Sequence, residues 1–366
     1  VARARGGPRT YLLMALALVL ALLVGATYTL GGLRSFDLYQ RANAAYETAC
    51  DTLVSWEPPA EILTGFYPNQ RRLVTVHYRS EAAQVLNIAV SAPYLTQTQT
   101  IEVHSGPVTQ TQDYLPPLLS SQALDALLGP RMRDGHITLT VRRAGAEVCA
   151  LSAPVTLYSR QMMRWADASG HDNSAYLAGW VTPQAEVIRD LVGRAADQLS
   201  QNPRVYPDAR TLVGYDSGRS QPATVVSQVN AIFDTLQLAY HLRYTQVNVP
   251  FRPDAMQVVQ LPRDVLSGAA PTAMCVESTV ILASAVERLG MRPYVVFVPG
   301  HVFLGVGVDA HASAITYWET SDLNGISGAQ ANVHGETEFT EANRAGQVLR
   351  MLDIEDARTQ GILPME

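Results

Sequence analysis

The sequence predicts an α+β chain in three parts: an N-terminal transmembrane helix, a β-sandwich of immunoglobulin-like type, and a mixed domain of helices and strands. Three observations predict it. Thr10 to Leu33 runs for 24 residues without a charge. Residues 61–158 alternate apolar and polar side chains in short runs separated by turn residues. Residues 181–331 hold amphipathic helical patterns followed by strand-like runs. Hydrophobic residues make up 47% of the chain and charged residues 16%, a balance that folds rather than stays disordered. A length of 366 residues gives room for roughly two to three domains.

Residues 1–33 read as an Arg-rich cytoplasmic stub and a membrane anchor. As a helix, 24 residues reach about 36 Å, enough to cross a bilayer. Arg3, Arg5 and Arg9 precede the apolar run, which puts the N-terminus inside and the body outside. A cleaved signal peptide is the alternative, because Val24-Gly25-Ala26 loosely resembles a cleavage site. Either reading exports the body. Residues 34–60 form a juxtamembrane helix and linker. Phe36, Tyr39, Ala42, Ala45, Tyr46, Ala49 and Leu53 fall at helical spacing, and Pro58-Pro59 ends the pattern.

The β domain spans 61–158. Val74, Val76 and Tyr78 alternate with Thr75, His77 and Arg79, and Val85 to Ala92 repeats the pattern. Shorter runs follow at Thr98–His104 and Gly106–Tyr114, with a short helix at Leu118–Leu128. Asp134-Gly135 reads as a turn, His136–Arg142 as a strand, and Ala144-Gly145 as a second turn. Glu147–Leu151 and Val155–Leu157 close the domain on either side of Pro154. Short strands separated by turns point to an antiparallel sandwich.

Residues 159–180 read as a linker. A helix follows Thr182-Pro183, with Val187, Ile188, Leu191, Val192, Ala195 and Leu199 on one face. Another follows Pro222, with Val225, Val229, Ile232, Phe233 and Leu236 buried. Tyr244–Val247 and Gln257–Leu261 read as short strands, and Pro262–Leu266 as one turn of helix. Residues 332–366 read as a peripheral helix and tail, with Glu336, Glu338 and Glu341 on a solvated face.

The chemistry concentrates between Pro271 and Asn324. Cys275 opens a helical pattern that continues through Val276, Val280, Ala283, Val286 and Leu289 to Gly290. Tyr294–Val298 is an apolar run, Pro299-Gly300 punctuates it, and His301 starts the next strand. Ala314–Trp318 is a further strand, with Glu319 at its end. A thiol at a helix N-terminus meets unpaired amides and the positive end of the helix dipole, both of which favour the nucleophilic thiolate. A histidine on a neighbouring strand can accept the thiol proton and return it to a leaving amine. An acid on the next strand can fix the far ring nitrogen.

Cys275 at a helix start, Pro299-Gly300-His301 followed by Val302-Phe303-Leu304-Gly305, and Trp318-Glu319-Thr320 together resemble the transglutaminase-like (papain-like cysteine) superfamily in its bacterial exported form. The resemblance covers about 180–325 and implies a papain-like, transglutaminase-like domain over 181–331. It implies a Cys-His-acid triad with Cys275 as nucleophile, His301 as base and Glu319 in the acid position. The family's acid is Asp, so Glu319 is a departure and Asp322 a second candidate. Ala273-Met274 stands where a small residue, often Gly, precedes the family's cysteine. The oxyanion hole would use the Cys275 amide and a side-chain donor, with Gln260 and Asn248 as candidates by chemistry. The implied activity is an exported, membrane-anchored thiol enzyme that cleaves or transfers amide bonds in protein or peptidoglycan peptides. The alternative is an inactive scaffold or binding protein of the cell envelope.

Composition excludes other classes. Beyond the three N-terminal arginines the chain carries −9, which disfavours nucleic acid as a partner. No CxxC, no His-Cys cluster and no Gly-rich phosphate loop occurs, so no cofactor and no structural metal are expected. The three cysteines leave Cys50 and Cys149 as the natural pair, since both lie outside the catalytic-looking stretch, with two unpaired thiols as the alternative.

Overall fold

Two apolar cores organise the chain in the computed structural model, which describes residues 50, 52–120, 123–124, 132–167, 169–215, 222–246 and 255–365. The first core lies between two sheets. One sheet takes the order β1-β3-β6, from Val54–Glu57 (β1), Val74–Tyr78 (β3) and Gln110–Tyr114 (β6). The other takes the order β2-β8-β7-β4-β5, from Glu61–Leu63 (β2), Ala146–Tyr158 (β8), Met132–Arg143 (β7), Gln84–Ser91 (β4) and Gln99–Ser105 (β5). Pairing is antiparallel except for β2 on β8. Alternation decides which side chains go in: Leu86, Ile88 and Val90 of β4 and Ile137, Leu139 and Val141 of β7 are fully buried. A disulfide joins Cys50 to Cys149 on β8 across 99 residues.

The second core lies around a four-stranded antiparallel sheet, β15-β14-β13-β16. Its strands are Pro293–Val298 (β13), His301–Gly307 (β14), Ile315–Trp318 (β15) and Arg350–Asp353 (β16). Around it stand Glu186–Gln201 (α1), Pro222–Leu238 (α2), Pro262–Leu266 (α3), Cys275–Arg288 (α4), Gly328–Arg344 (α5) and Ile354–Thr359 (α6). Short pairs complete the unit: Met162–Arg164 (β9) with Met256–Val258 (β11), and Arg243–Tyr244 (β10) parallel to Thr272–Ala273 (β12). Val302, Leu304 and Val306 of β14 join the large core that includes α4. Phe303 points the other way and forms a small cluster with Val296, Tyr317 and Phe339 of α5. The sheet therefore has α4 on one face and α5 on the other.

Several expectations are corrected. Among the described residues no helix is long and apolar enough to cross a membrane, and the fold there is a mixture of 31% helix and 32% strand. The three-part α+β expectation is corrected to a two-sheet unit followed by a unit of mixed helices and strands, with no membrane-spanning helix among the described residues. The Thr10–Leu33 anchor and most of the 34–60 helix lie outside the described residues. β1 lies upstream of residue 61 yet belongs to the first core. Asp134-Gly135 is no turn but lies in the first part of β7, and β8 runs straight through Pro154. β2 pairs with β8 only from Thr156 onward, so Pro154 sits where one side of β8 is unpaired and its missing N–H costs no ladder bond.

The 159–180 stretch is not a linker. β9 pairs with β11, and Trp180 is fully buried, donating its indole N–H to the Val259 carbonyl at 2.8 Å. Helix α1 starts at Glu186 with Ala185 as its N-cap, three residues later than Thr182-Pro183 implies. The 332–366 segment is not a peripheral tail either. α5 covers the sheet, β16 pairs antiparallel with β13, and Met365 receives an Arg160 hydrogen bond at 2.9 Å. Its strand and its contacts are long-range, and local polarity hides them.

Candidate active site

The cleft is built from two chain reversals and one helix start. Pro299-Gly300 makes a two-residue turn between β13 and β14, with Gly300 at φ +76°. Proline presets the first corner and glycine alone tolerates the second, as a type II turn requires. The register then places His301 opposite Val298, at the first position of β14. Extending the β14–β15 register by one step sets Glu319 opposite Phe303, on the sheet face that His301 shares. Cys275 is the first residue of α4, one residue after β12 with Met274 as the N-cap between them. Two hydroxyls tie these pieces together. Thr279 on α4 donates to the Cys275 carbonyl at 2.7 Å and lies 2.8 Å from the Thr320 hydroxyl, which follows Glu319.

The sequence-predicted residues converge. The His301 Nε2–H donates to both oxygens of Glu319, at 3.0 and 2.9 Å. The Cys275 thiol lines the same cleft as the His301 ring and is close enough to raise its pKa. With Nε2 on Glu319, Nδ1 is the nitrogen left for the thiol. Cys275 is only 4% exposed, yet it lines an open cleft of about 670 Å³ with Tyr244, Gly300, His301, Glu319 and Glu338. Asp322, the second candidate acid, lines the same cleft but is paired with His334, accepting from its Nδ1 at 2.6 Å. Between the two acids the geometry selects Glu319.

Electrostatics follow from these partners. Burial pulls the His301 pKa down, but the hydrogen bonds to Cys275 and Glu319 outweigh it and carry the ring up to about 10. Burial acts on Glu319 in the opposite sense. His301, Glu338 and Ser321 overcome it and hold the carboxyl well below the usual range. Oε1 of Glu319 also accepts from the Ser321 amide at 2.7 Å and its hydroxyl at 2.6 Å. The favoured state is an imidazolium beside a carboxylate, across the cleft from Cys275.

Of the two candidates for the second oxyanion donor, Gln260 is engaged elsewhere. Gln260 gives its backbone N–H to Glu277 at 2.9 Å, and its side chain binds the same carboxylate. Asn248 lies outside the described residues. Glu277, buried at the helix start, also accepts from the Met274 amide at 3.0 Å, so it caps α4 and is turned away from the ring.

Two residues here escape the sequence reading. Tyr244 sits on β10, paired with Ala273 two positions before the cysteine, and brings a phenol to the cleft within electrostatic range of Cys275 and Glu319. Its position as a polar-tipped residue in a short strand was the only local signal. Glu338, expected on a solvated face of α5, instead lines the cleft, with a carboxylate oxygen 4.0 Å from His301 Nε2 and within 4.8 Å of a Glu319 oxygen. Burial and the Glu319 charge push its carboxyl well above the usual range. Glu336 also turns inward and accepts from the Thr316 hydroxyl at 2.7 Å. His301, Glu319 and Glu338 form the grouping, among the described residues, with ligand atoms all within 4.8 Å of one another. A cation there would displace the His301–Glu319 hydrogen bond.

Comparison of the chain with models of known families, with curated proteins and with solved structures returns no match.

Proposed function

We propose that the chain is a thiol enzyme acting on amide bonds through Cys275, His301 and Glu319, in the manner of the transglutaminase-like superfamily. One observation carries this reading: the imidazole of His301 lies between a helix-terminal thiol and a buried carboxylate. The Cys275 sulfur, its proton passed to His301, attacks the carbonyl carbon of an amide, and the C–N bond breaks. His301 delivers the proton to the leaving amine, and a thioester remains on Cys275. Water then attacks the thioester, His301 takes its proton, and the acid is released with the thiol restored. An amine in place of water would give transfer instead, and hydrolysis is the preferred outcome for an open cleft. Glu319 keeps Nε2–H occupied so that Nδ1 faces the sulfur.

The Cys50–Cys149 disulfide supports an oxidising compartment, hence export of the body and protein or cell-wall peptides as substrates. The near-complete burial of Cys275 favours a second reading, an envelope scaffold that keeps the arrangement without turnover. Alkylation separates the two. In the enzyme, iodoacetamide modifies Cys275 at neutral pH far faster than an ordinary thiol, and His301→Ala slows it. A Cys275 that stays unmodified in the folded protein supports the scaffold. On any peptide amide found to be cleaved, Cys275→Ala is expected to lose activity by a factor on the order of 10⁶.

A further inference from the structure

Glu319 is one methylene longer than an aspartate, and its extra rotatable bond must be restrained if it is to hold a histidine. Ser321 restrains one side, through its amide and hydroxyl on Oε1. On the other side stands Glu338, which reaches Glu319 because α5 lies unusually close to β15. Gly335, one turn before Glu338, makes that approach: a Cβ there would lie 2.6–2.7 Å from the backbone N, Cα and C of Trp318. The Glu319 amide donates to the Ala331 carbonyl at 2.9 Å, and Asn332 donates to the Tyr317 carbonyl at 2.8 Å. The helix is thus fastened to the strand end that carries the acid.

We propose that Glu338 is a positioning residue: as a carboxylic acid it donates a hydrogen bond to Glu319 and holds that carboxylate against the Nε2 edge of His301. Two carboxyls that share a hydrogen bond need one proton between them, because two ionised oxygens at that distance repel. The proton belongs on Glu338. Glu319 already accepts from Ser321 twice and from His301, whereas the contacts of Glu338 among the described residues are Glu319 and the more distant His301. The groups facing Glu338 are Glu319 after β15, His301 on β14, Asp322 in the next loop and its partner His334 on α5; Cys275 and Tyr244 line the far side of the cleft. Of these only His301 and His334 can carry positive charge. Loss of the Glu338 proton therefore sets two carboxylates against each other and loosens the hold on His301.

This inference rests on the thiol-enzyme reading, and its test keeps the two apart. The first measurement is the iodoacetamide rate of Cys275 at neutral pH in the full chain. Glu338→Leu removes the donor and should slow it about tenfold, the loss of one hydrogen bond to a charged group. Glu338→Gln keeps an N–H donor and should recover most of that loss. The second measurement needs no variant: a ¹⁵N NMR titration of the wild-type His301 ring. It should show an additional step on the alkaline side of neutrality, before the ring loses its own proton near pH 10. Equal rates in wild type and Glu338→Leu, equal slowing by Leu and Gln, or a single-step titration each overturn the role of Glu338. An unreactive wild-type Cys275 overturns the enzyme reading itself.

Discussion

The two units bury different things. Among the described residues of 50–158, the buried polar side chains are all Ser or Thr, and a disulfide reinforces an otherwise apolar core. The second unit buries the carboxyls of Asp234, Glu277 and Glu319, with Thr279 and Thr320 beside them. Buried carboxylates are costly unless hydrogen-bonded, and each of these three has partners. Glu277 and Glu319 make the contrast. Both are buried, yet burial dominates Glu277, whose donors are amides, and raises its pKa. Glu319 faces an imidazolium, and its pKa falls. Depth alone does not set the charge; the partner does.

That contrast can be broken experimentally, most severely at the acid. Glu319→Gln keeps the shape and removes the charge, and amide turnover should fall by about 10⁴ if Glu319 fixes the histidine tautomer. A loss of less than tenfold would move the acid role elsewhere. In the first unit, Cys50→Ser with Cys149→Ser should cost about 2–5 kcal/mol in denaturant unfolding. Iodoacetamide labelling of Cys275 should persist in that variant; parallel loss of both would mean that the units do not behave separately. Gly335→Ala should cost about 1–3 kcal/mol through overpacking against Trp318. It should also slow Cys275 labelling, since it lifts Glu338 away from Glu319. An alanine accommodated with unchanged melting temperature and labelling would deny the close approach any role.

The smallest effect is the pH dependence of stability. The His301 pKa is raised in the fold, so its contribution is full below about pH 6.5, declines above that, and is gone once pH passes 10. Glu319 has a lowered pKa, so its contribution is present above about pH 4.5 and fades in acid. The melting temperature of the wild type should therefore drop between pH 7 and 10 more steeply than that of His301→Ala. Parallel curves would place the ring outside the ion pair.

Much of the site was legible in the primary structure because its parts are local. Pro299-Gly300 specifies a reversal, the apolar spacing after Cys275 specifies a helix, and the run after His301 specifies a strand. Each depends on residues within a few positions of one another. The choice between Glu319 and Asp322 was not legible, since the two acids lie three residues apart. Register decides it by keeping Glu319 on the face of His301 while Asp322 pairs with His334. Gln260 was misread for a similar reason: it has suitable chemistry, but Glu277 claims it. The polar look of 159–180 and 332–366 misled because their buried residues, among them Met163, Trp165, Leu177, Trp180, Leu352 and Ile354, follow no single helix or strand period.

By itself the chain of residues determined the kinds of groups available and the local elements that carry them: a thiol heading a helix, an imidazole after a turn, an acid closing a strand. Only the tertiary structure decided which acid meets the ring, that Tyr244 flanks the thiol, and that Glu338 joins Glu319. Those outcomes depend on strand register and on a glycine-sized gap between α5 and β15, and both arise from contacts between segments far apart in sequence.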